Sequence, residues 1–210
     1  MATNFFATMD KTWIDVASAI DAHPNGEIPT EIFIAAAREL SNIFDILNSM
    51  AFSPVKKDMV QNIDLVEQRF LSAGPESQTL NQLIANERKL STFMQKGKSP
   101  SRALLWYKRG MEFLAQAFLR CLENPTEELA VSFSKSYETT LQQHHGFLVR
   151  NVFSLAVKAA PYREDFLKSL AKEDDREQLL ATMTPYIHAY VKVCKVLVKL
   201  YDDEDLERPL

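Results

Sequence analysis

The sequence predicts a protein built entirely from α-helices, with residues 1–210 forming a single domain. Apolar residues recur at spacings of three and four along most of the chain, which is the period of an amphipathic helix. Hydrophobic residues make up 46% of the 210 residues, enough for a sizeable core. Only 5 glycines and 9 prolines are present, too few for the many turns of an all-β chain. Together these observations favour eight or nine helices.

Proline, glycine and short polar clusters divide the chain into segments whose lengths suit helices. The first four predicted helices run from about Thr3 to Ala22, from Thr30 to about Met50, from Pro54 to the residue before Gly74, and from Ser77 to about Gly97. Thr30 suits an N-cap, because its hydroxyl can accept a hydrogen bond from the first turn. Pro54 suits a first turn, where its missing N–H is not needed.

The second half of the chain contains five further predicted helices. They run from Ser99 and Pro100 to Glu123, from Thr126 to about His144, from beyond Gly146 to Pro161, from Arg163 to Ala171, and from Asp175 to Tyr201 despite Pro185. Thr126 is the predicted N-cap of the sixth helix, because acidic residues follow it where the helix dipole favours negative charge. The acidic run at 202–205 is predicted to be a solvated end.

Composition and charge exclude several classes of partner. The formal net charge is −4 and the pI is about 5.6, which gives no basic field for binding nucleic acid. No segment reaches the roughly 18 consecutive apolar residues that span a bilayer, and the N-terminus lacks a signal-peptide pattern. Cys121 and Cys194 lie far apart without a metal-binding or redox spacing. We therefore expect a cytoplasmic protein with free thiols that is peripheral on membranes.

The sequence shows no catalytic machinery. It contains no pattern that pairs a nucleophile with a base, and no glycine-rich phosphate loop. His144 and His145 would point about 100° apart on a helix, so they cannot face one metal ion together. The sequence therefore indicates neither an enzyme, nor a metal site, nor a cofactor.

Polar residues lie beside the apolar stripe of the third predicted helix. Asp58 and Asn62 are four residues apart, so their side chains leave the same face one turn apart, with Leu65 next to them. Taken alone, such a pair is more often a solvated helix edge. The alternative is a polar binding site.

Trp106 and the histidine pair at 144 and 145 each allow two interpretations, and Gly110 lies one turn after the tryptophan. A helical tryptophan is normally part of the core, but its flat ring can also stack on the apolar C–H face of a sugar. A glycine inside a helix costs about 1 kcal/mol relative to alanine, so Gly110 predicts close packing nearby. One of the adjacent His144 and His145 is either a structural histidine or the donor of a ring N–H to a polar ligand atom.

Four segments, taken together, resemble the motifs of the glycolipid transfer protein family. They are FSPVKKDMVQNI at 52–63, LWYKRG at 105–110, HHGF at 144–147 and AAPY at 159–162. Their order and spacing agree with the family, and the resemblance extends from about Thr30 to Tyr201. The sequence is most similar to the fungal members linked to heterokaryon incompatibility.

This resemblance implies a two-layer helical sandwich that encloses an apolar lipid pocket below a surface head-group site. By analogy, Asp58 accepts a hydrogen bond from the ceramide amide N–H, and His145 donates one to the acyl carbonyl. Asn62 matches the residue that binds sugar hydroxyls, and Trp106 matches the sugar platform. The implied function is non-enzymatic transfer of a glycosphingolipid, such as a simple hexosylceramide, between membranes.

The sequence departs from the family pattern at three points: two positions near this site, and a late tyrosine that touches the sugar in the family but has no clear match near Leu210. Leu65 stands where lysine is frequent, and Phe147 replaces a tryptophan that follows the His-Gly pair; we expect Phe147 to contact the membrane. Carriers of ceramide-1-phosphate have cationic residues at the positions of Asn62 and Trp106. At these positions the sequence therefore resembles the carriers of glycolipids.

Other functions remain open from the sequence. The same pocket would serve a sensor of glycolipid or ceramide-1-phosphate that signals through a partner, and a helical adaptor would need no pocket. Some family members bind VAP proteins of the endoplasmic reticulum through Phe-Phe-Asp. The matching stretch here is Ile43, Phe44 and Asp45, so that partner is not expected.

Overall fold

The computed structural model describes residues 2–47 and 50–207, and the regular structure of these residues is helical. Apart from one isolated bridge between Pro29 and Thr79, they contain no β-structure. Nine α-helices of eight residues or more are present among them, which confirms the predicted class. They are α1 (Trp13–Ala22), α2 (Thr30–Ser41), α3 (Ser53–Ala73), α4 (Leu80–Glu87), α5 (Pro100–Glu123), α6 (Leu129–Thr139), α7 (Phe147–Lys158), α8 (Arg163–Ala171) and α9 (Arg176–Asp203).

Helix α5 is the central element of the fold. It packs along α3, α6 and α9, while α2 lies against α1 and α3. Because α5 has neighbours on several sides, its apolar residues are buried around much of its circumference, including Leu104, Leu105 and Met111, which are all 0% exposed. Trp106 lies between these buried residues but is only half-buried. The helix therefore supplies both core and surface side chains within one turn.

The first helix begins later than the sequence predicts. The Asp174 carboxylate accepts hydrogen bonds from the backbone N–H groups of Thr3 and Asn4, which fixes this segment outside the helix. Helix α1 begins after Thr12, whose side chain forms a capping box with Asp15. A contact between residues 170 positions apart thus overrides the local helical pattern.

The predicted second and fourth helices are too long. Helix α2 ends at Ser41 and a single turn follows at Ile43–Ile46, while residues 48–49 of the predicted span lie outside the described residues. Helix α4 ends at Glu87 rather than near Gly97. The buried Glu87 carboxylate accepts hydrogen bonds from both the backbone N–H and the hydroxyl of Ser101, which ties the end of α4 to the start of α5.

Thr126 is not the N-cap of the sixth helix. Helix α6 begins after Glu128 and ends at Thr139, and a separate 3-10 turn covers Leu141–His144. Glu127 pairs with Arg120 and Lys135 instead of capping a first turn. Because the helix stops before the 3-10 turn, His145 is not held on a helical face and can turn toward the neighbouring cavity.

The last two helices follow the prediction closely. Helix α8 has the predicted bounds, and α9 begins after Asp175, which forms a capping box with Gln178. Pro185 lies inside α9 without ending it. In the acidic run at 202–205, Asp203 pairs with Lys199 and Glu204 pairs with Arg88. The predicted solvated end is therefore exposed, but two of its carboxylates form ion pairs.

Candidate functional site

A cavity of about 830 Å³ lies between α3, α5 and α7. All five residues that the sequence predicts for the site, Asp58, Asn62, Leu65, Trp106 and His145, line it. Buried apolar side chains also line it, namely Phe44, Met59, Phe113, Leu114, Leu141, Phe153 and Ala156. The volume falls within the range of about 300–1,000 Å³ that is typical of small-molecule sites. One continuous space therefore connects polar groups at the surface with an apolar interior.

Helix α3 presents Asp58 and Asn62 side by side at the opening of this cavity. The Asn62 side-chain amide donates a hydrogen bond of 3.2 Å to the Asp58 carboxylate. No cation pairs with Asp58 among the described residues, although its outer side remains exposed. Partial removal from water raises the pKa of Asp58 above its usual value, and the bond from Asn62 opposes that shift. The carboxylate thus has hydrogen-bond capacity left for a ligand.

Helix α5 holds the Trp106 ring in a fixed orientation. The Arg109 guanidinium lies over the ring, 4.9 Å from its centroid, and Arg109 itself pairs with Glu207 at 2.9 Å. The His145 ring lies 6.1 Å away and is nearly parallel to the indole, at 16°. Trp106 is therefore half-buried at the cavity wall, with a cation against one face of its ring and an imidazole beside it.

Gly110 lies one turn after Trp106 and also lines the cavity. The expectation of close packing at this glycine is wrong, because a Cβ atom placed there would meet nothing within 4 Å. A larger side chain would instead extend into open space. The glycine therefore preserves cavity volume on the α5 wall.

His145 is held by partners on both its ring and its backbone. The Tyr137 hydroxyl lies 3.1 Å from Nδ1 of the ring, and the Arg150 side chain donates a 2.7 Å hydrogen bond to the His145 carbonyl. Burial lowers the pKa of His145, and the neighbouring His144, Arg150 and Arg109 lower it further. The ring is therefore neutral at pH 7 and can both donate and accept.

Two groups of residues at this site were not assigned to it from the sequence. His144 also lines the cavity, with its ring edge-on to Trp106 at 6.5 Å, and Tyr137 contacts His145 from α6. The second group is an apolar stripe on the outer face of α7, formed by Leu148, Val152 and Leu155. The spacing of 148, 152 and 155 could have indicated a helical stripe, but not that it faces outward.

This outer stripe of α7 is unusually exposed for apolar residues. Leu148, Val152 and Leu155 are 78%, 54% and 66% exposed, and Phe147 at the start of the helix is 76% exposed. The buried side of α7 carries Phe153 and Ala156, which line the cavity, and Val152, at the edge between the two sides, lines it as well. Helix α7 thus separates the cavity from solvent. No helix among the described residues combines the length and apolar character needed to cross a bilayer.

An all-helical fold with a polar opening above a long apolar cavity defines a protein that binds a molecule with a polar head and an apolar body. The chain belongs to the glycolipid transfer protein family, because the family model of that description matches residues 28–172. A glycolipid transfer protein from Aureobasidium melanogenum is 36% identical over 193 residues, which cover 92% of this chain and 90% of that protein.

Two solved structures are similar to this chain over nearly its whole length. HET-C2, a fungal glycolipid transfer protein, is 37% identical, with a TM-score of 0.85 over 97% of this chain and 100% of that one. FAPP2, whose glycolipid-transfer fold selects simple glycosphingolipids, is 31% identical, with a TM-score of 0.86 over 99% of each chain. These similarities confirm the predicted fold and the predicted family.

Proposed function

We propose that this protein, as a single domain, carries a simple hexosylceramide between membranes without catalysing a reaction. The observation that carries the proposal is the continuous cavity, in which the polar residues of α3 and α5 adjoin buried apolar walls. Such a cavity suits a ligand with a sugar at one end and hydrocarbon at the other.

Four side chains are proposed to bind the head group and the ceramide amide. The ionised Asp58 carboxylate accepts the amide N–H, and the His145 ring donates to the acyl carbonyl. Asn62 binds sugar hydroxyls beside Asp58, and the sugar ring packs against Trp106. An unpaired buried amide costs about 1–3 kcal/mol, so a carrier must offer both an acceptor and a donor.

The hydrocarbon chains occupy the apolar part of the cavity in this proposal. Exposure of two long chains to water would cost on the order of 20 kcal/mol, at about 0.8 kcal/mol per CH₂ group. Side chains such as Phe113, Leu114 and Phe153 offset that cost by enclosing the chains. The fold then keeps the hydrocarbon chains out of water during transfer.

Leu65 is proposed to restrict the head group to simple sugars. It lines the cavity on the same helix as Asp58 and Asn62, but its methyl groups cannot bind a sugar hydroxyl. Recognition would therefore depend on the first sugar. This agrees with FAPP2, a relative that selects simple glycosphingolipids.

The outer face of α7 is proposed to be the membrane contact, and the protein to be cytoplasmic and peripheral. Phe147 was expected in this role, and Leu148, Val152 and Leu155 extend the same apolar surface beside the cavity. A VAP-type partner is not proposed. Ile43 and Phe44, which would have to be accessible, are only 2% and 5% exposed.

The proposal is tested by transfer of labelled glucosylceramide between vesicles at catalytic amounts of protein. We expect transfer by the parent and its loss in Asp58→Val, while Asp10→Val, at an exposed carboxylate outside the cavity, leaves it unchanged. Asp58→Val should not lower stability at pH 7. The raised pKa means that ionised Asp58 destabilises the folded state at pH values above that pKa, and the penalty disappears below its ordinary value of 3.8.

Two outcomes would contradict this proposal. Unchanged transfer by Asp58→Val would remove Asp58 from the site. Lipid bound to the protein in native mass spectrometry, with no vesicle transfer by the parent, would instead favour a glycolipid or ceramide-1-phosphate sensor that uses the same cavity.

A further inference from the structure

Tyr137 occupies a fixed position behind the His145 ring. The Tyr137 side chain is 6% exposed, and its ring stacks on Phe153 with centroids 4.0 Å apart and planes at 11°. Its hydroxyl lies 3.1 Å from Nδ1 of His145. The stacking fixes the orientation of the phenol ring, so its hydroxyl points at Nδ1 of the imidazole and not at Nε2.

The direction of this hydrogen bond follows from the groups available. The contact with His145 is the one hydrogen bond of the Tyr137 hydroxyl among the described residues, so a hydroxyl that accepted from Nδ1 would leave its own proton without a protein partner. A neutral imidazole has one protonated nitrogen, which donates, and one bare nitrogen, which accepts. When the hydroxyl donates to Nδ1, the ring proton must lie on Nε2. Tyr137 thereby selects one of the two tautomers of His145.

We propose that Tyr137 is a positioning residue that holds His145 in the Nε2–H tautomer, so that the ring presents a donor to the lipid amide carbonyl. This inference rests on the proposed function, since it assigns the mechanism by which His145 acts there. In the other tautomer a bare Nε2 would face the carbonyl oxygen, and two acceptors would repel each other. Tyr137 makes no contact with the ligand itself.

The selected tautomer complements the other half of the site. Asp58 offers an acceptor from α3, and His145 with Nε2–H offers a donor from the turn after α6. A secondary amide presents one N–H and one C=O, so the pair matches it. Arg150 has a separate duty: it donates to the carbonyl oxygens of Gln142 and His145 and so fixes the backbone, not the ring.

The tautomer can be measured directly in the lipid-free protein by long-range ¹H–¹⁵N NMR of the histidine rings at neutral pH. The His145 signals are assigned by their loss in His145→Gln. We expect Nε2–H in the parent and a mixture of both tautomers in Tyr137→Phe, which keeps the ring stacked on Phe153. Tyr162→Phe, at a tyrosine that is 75% exposed, is the matched control and should leave the tautomer unchanged.

Transfer of glucosylceramide provides the second readout. Loss of one hydrogen bond predicts about a twofold to tenfold fall in Tyr137→Phe. The same change on a His145→Gln background should have no further effect, because Tyr137 acts only through the imidazole. A merely structural role would instead lower transfer equally in both backgrounds.

Results that overturn the inference differ from those that overturn the proposed function. An Nδ1–H tautomer in the parent, or an unchanged tautomer in Tyr137→Phe, would refute the positioning role while transfer by the parent continued. Absence of glucosylceramide transfer by the parent, with the Nε2–H tautomer observed, would refute the carrier function and leave the ring geometry intact.

Discussion

Two adjacent residues of α5 have opposite environments, although the sequence presents both as aromatic. Tyr107 is 1% exposed in the core, while Trp106 is half-buried and lines the cavity. Consecutive side chains on a helix point about 100° apart, so one faces α2 and the other the opening. The Tyr107 ring accordingly contacts Phe33, whereas the Trp106 ring contacts His145.

Substitution of these two neighbours separates packing from binding. Tyr107→Ala should lower the free energy of unfolding by about 3–5 kcal/mol, the usual effect of deleting a core aromatic. Trp106→Ala should lower it by less, because that ring is only partly buried and borders the cavity, yet should remove most transfer. Denaturant unfolding and vesicle transfer measure the two effects. An equal loss of stability in both variants would make Trp106 a structural residue.

Leu65 allows the head-group preference to be changed. In Leu65→Lys, the ammonium group would reach a sugar hydroxyl, and one such charged hydrogen bond contributes about 1.5–3 kcal/mol, or one to two decades in affinity. We expect affinity for lactosylceramide or sulfatide to rise more than that for glucosylceramide in competition transfer assays. Leu71→Lys, on the same helix but 73% exposed and outside the cavity, is the control. Equal changes for all three lipids would mean that Leu65 only packs.

At the scale of a helix, α7 carries apolar residues toward the cavity as well as toward solvent. Phe153 and Ala156 face the cavity, Leu148 and Leu155 face solvent, and Val152 lies at the edge between the two sides. When both faces of a short helix carry apolar residues, the sequence does not indicate which face is buried. For that reason only Phe147 could be singled out beforehand.

The outer stripe of α7 should govern membrane association without affecting the binding site. Leu148→Glu combined with Leu155→Glu should weaken sedimentation with vesicles and slow transfer, because charges oppose insertion of the stripe into the interface. Lipid already loaded on the protein should remain bound. Val131→Glu, at an exposed residue of α6, is the control. Normal vesicle binding by the double variant would exclude α7 as the contact.

Helix ends that depend on contacts distant in the sequence were not predicted, and local capping signals were correct at Asp175 but not at Thr126. Asp175 caps α9 from within its own first turn, and the sequence pattern placed that start within one residue. By contrast, the Asp174 carboxylate accepts hydrogen bonds from the backbone of Thr3 and Asn4, and the Glu87 carboxylate accepts one from the backbone of Ser101. Those contacts join segments far apart in the sequence, so composition and periodicity carry no information about them.

At the scale of the molecule, the predicted site residues meet because α3, α5 and the turn after α6 surround one space. The spacing of Asp58 and Asn62 follows from helix geometry alone. Their proximity to Trp106 and His145 required the family resemblance, since nothing local relates position 58 to position 145. Tyr137 could not be predicted as a site residue, because its proposed role depends on a hydrogen bond to a residue beyond the end of its own helix.

The cavity between α3, α5 and α7 also determines how the molecule responds to compression. Unfolding eliminates internal voids, so hydrostatic pressure favours the unfolded chain in proportion to the void that the folded state contains. Much of the 830 Å³ has apolar walls, where water finds few polar partners and a dry space can persist. In the proposed function, hydrocarbon that fills this space would remove the volume that unfolding releases. We therefore expect the lipid-free protein to unfold at lower pressure than the same fold with lipid bound.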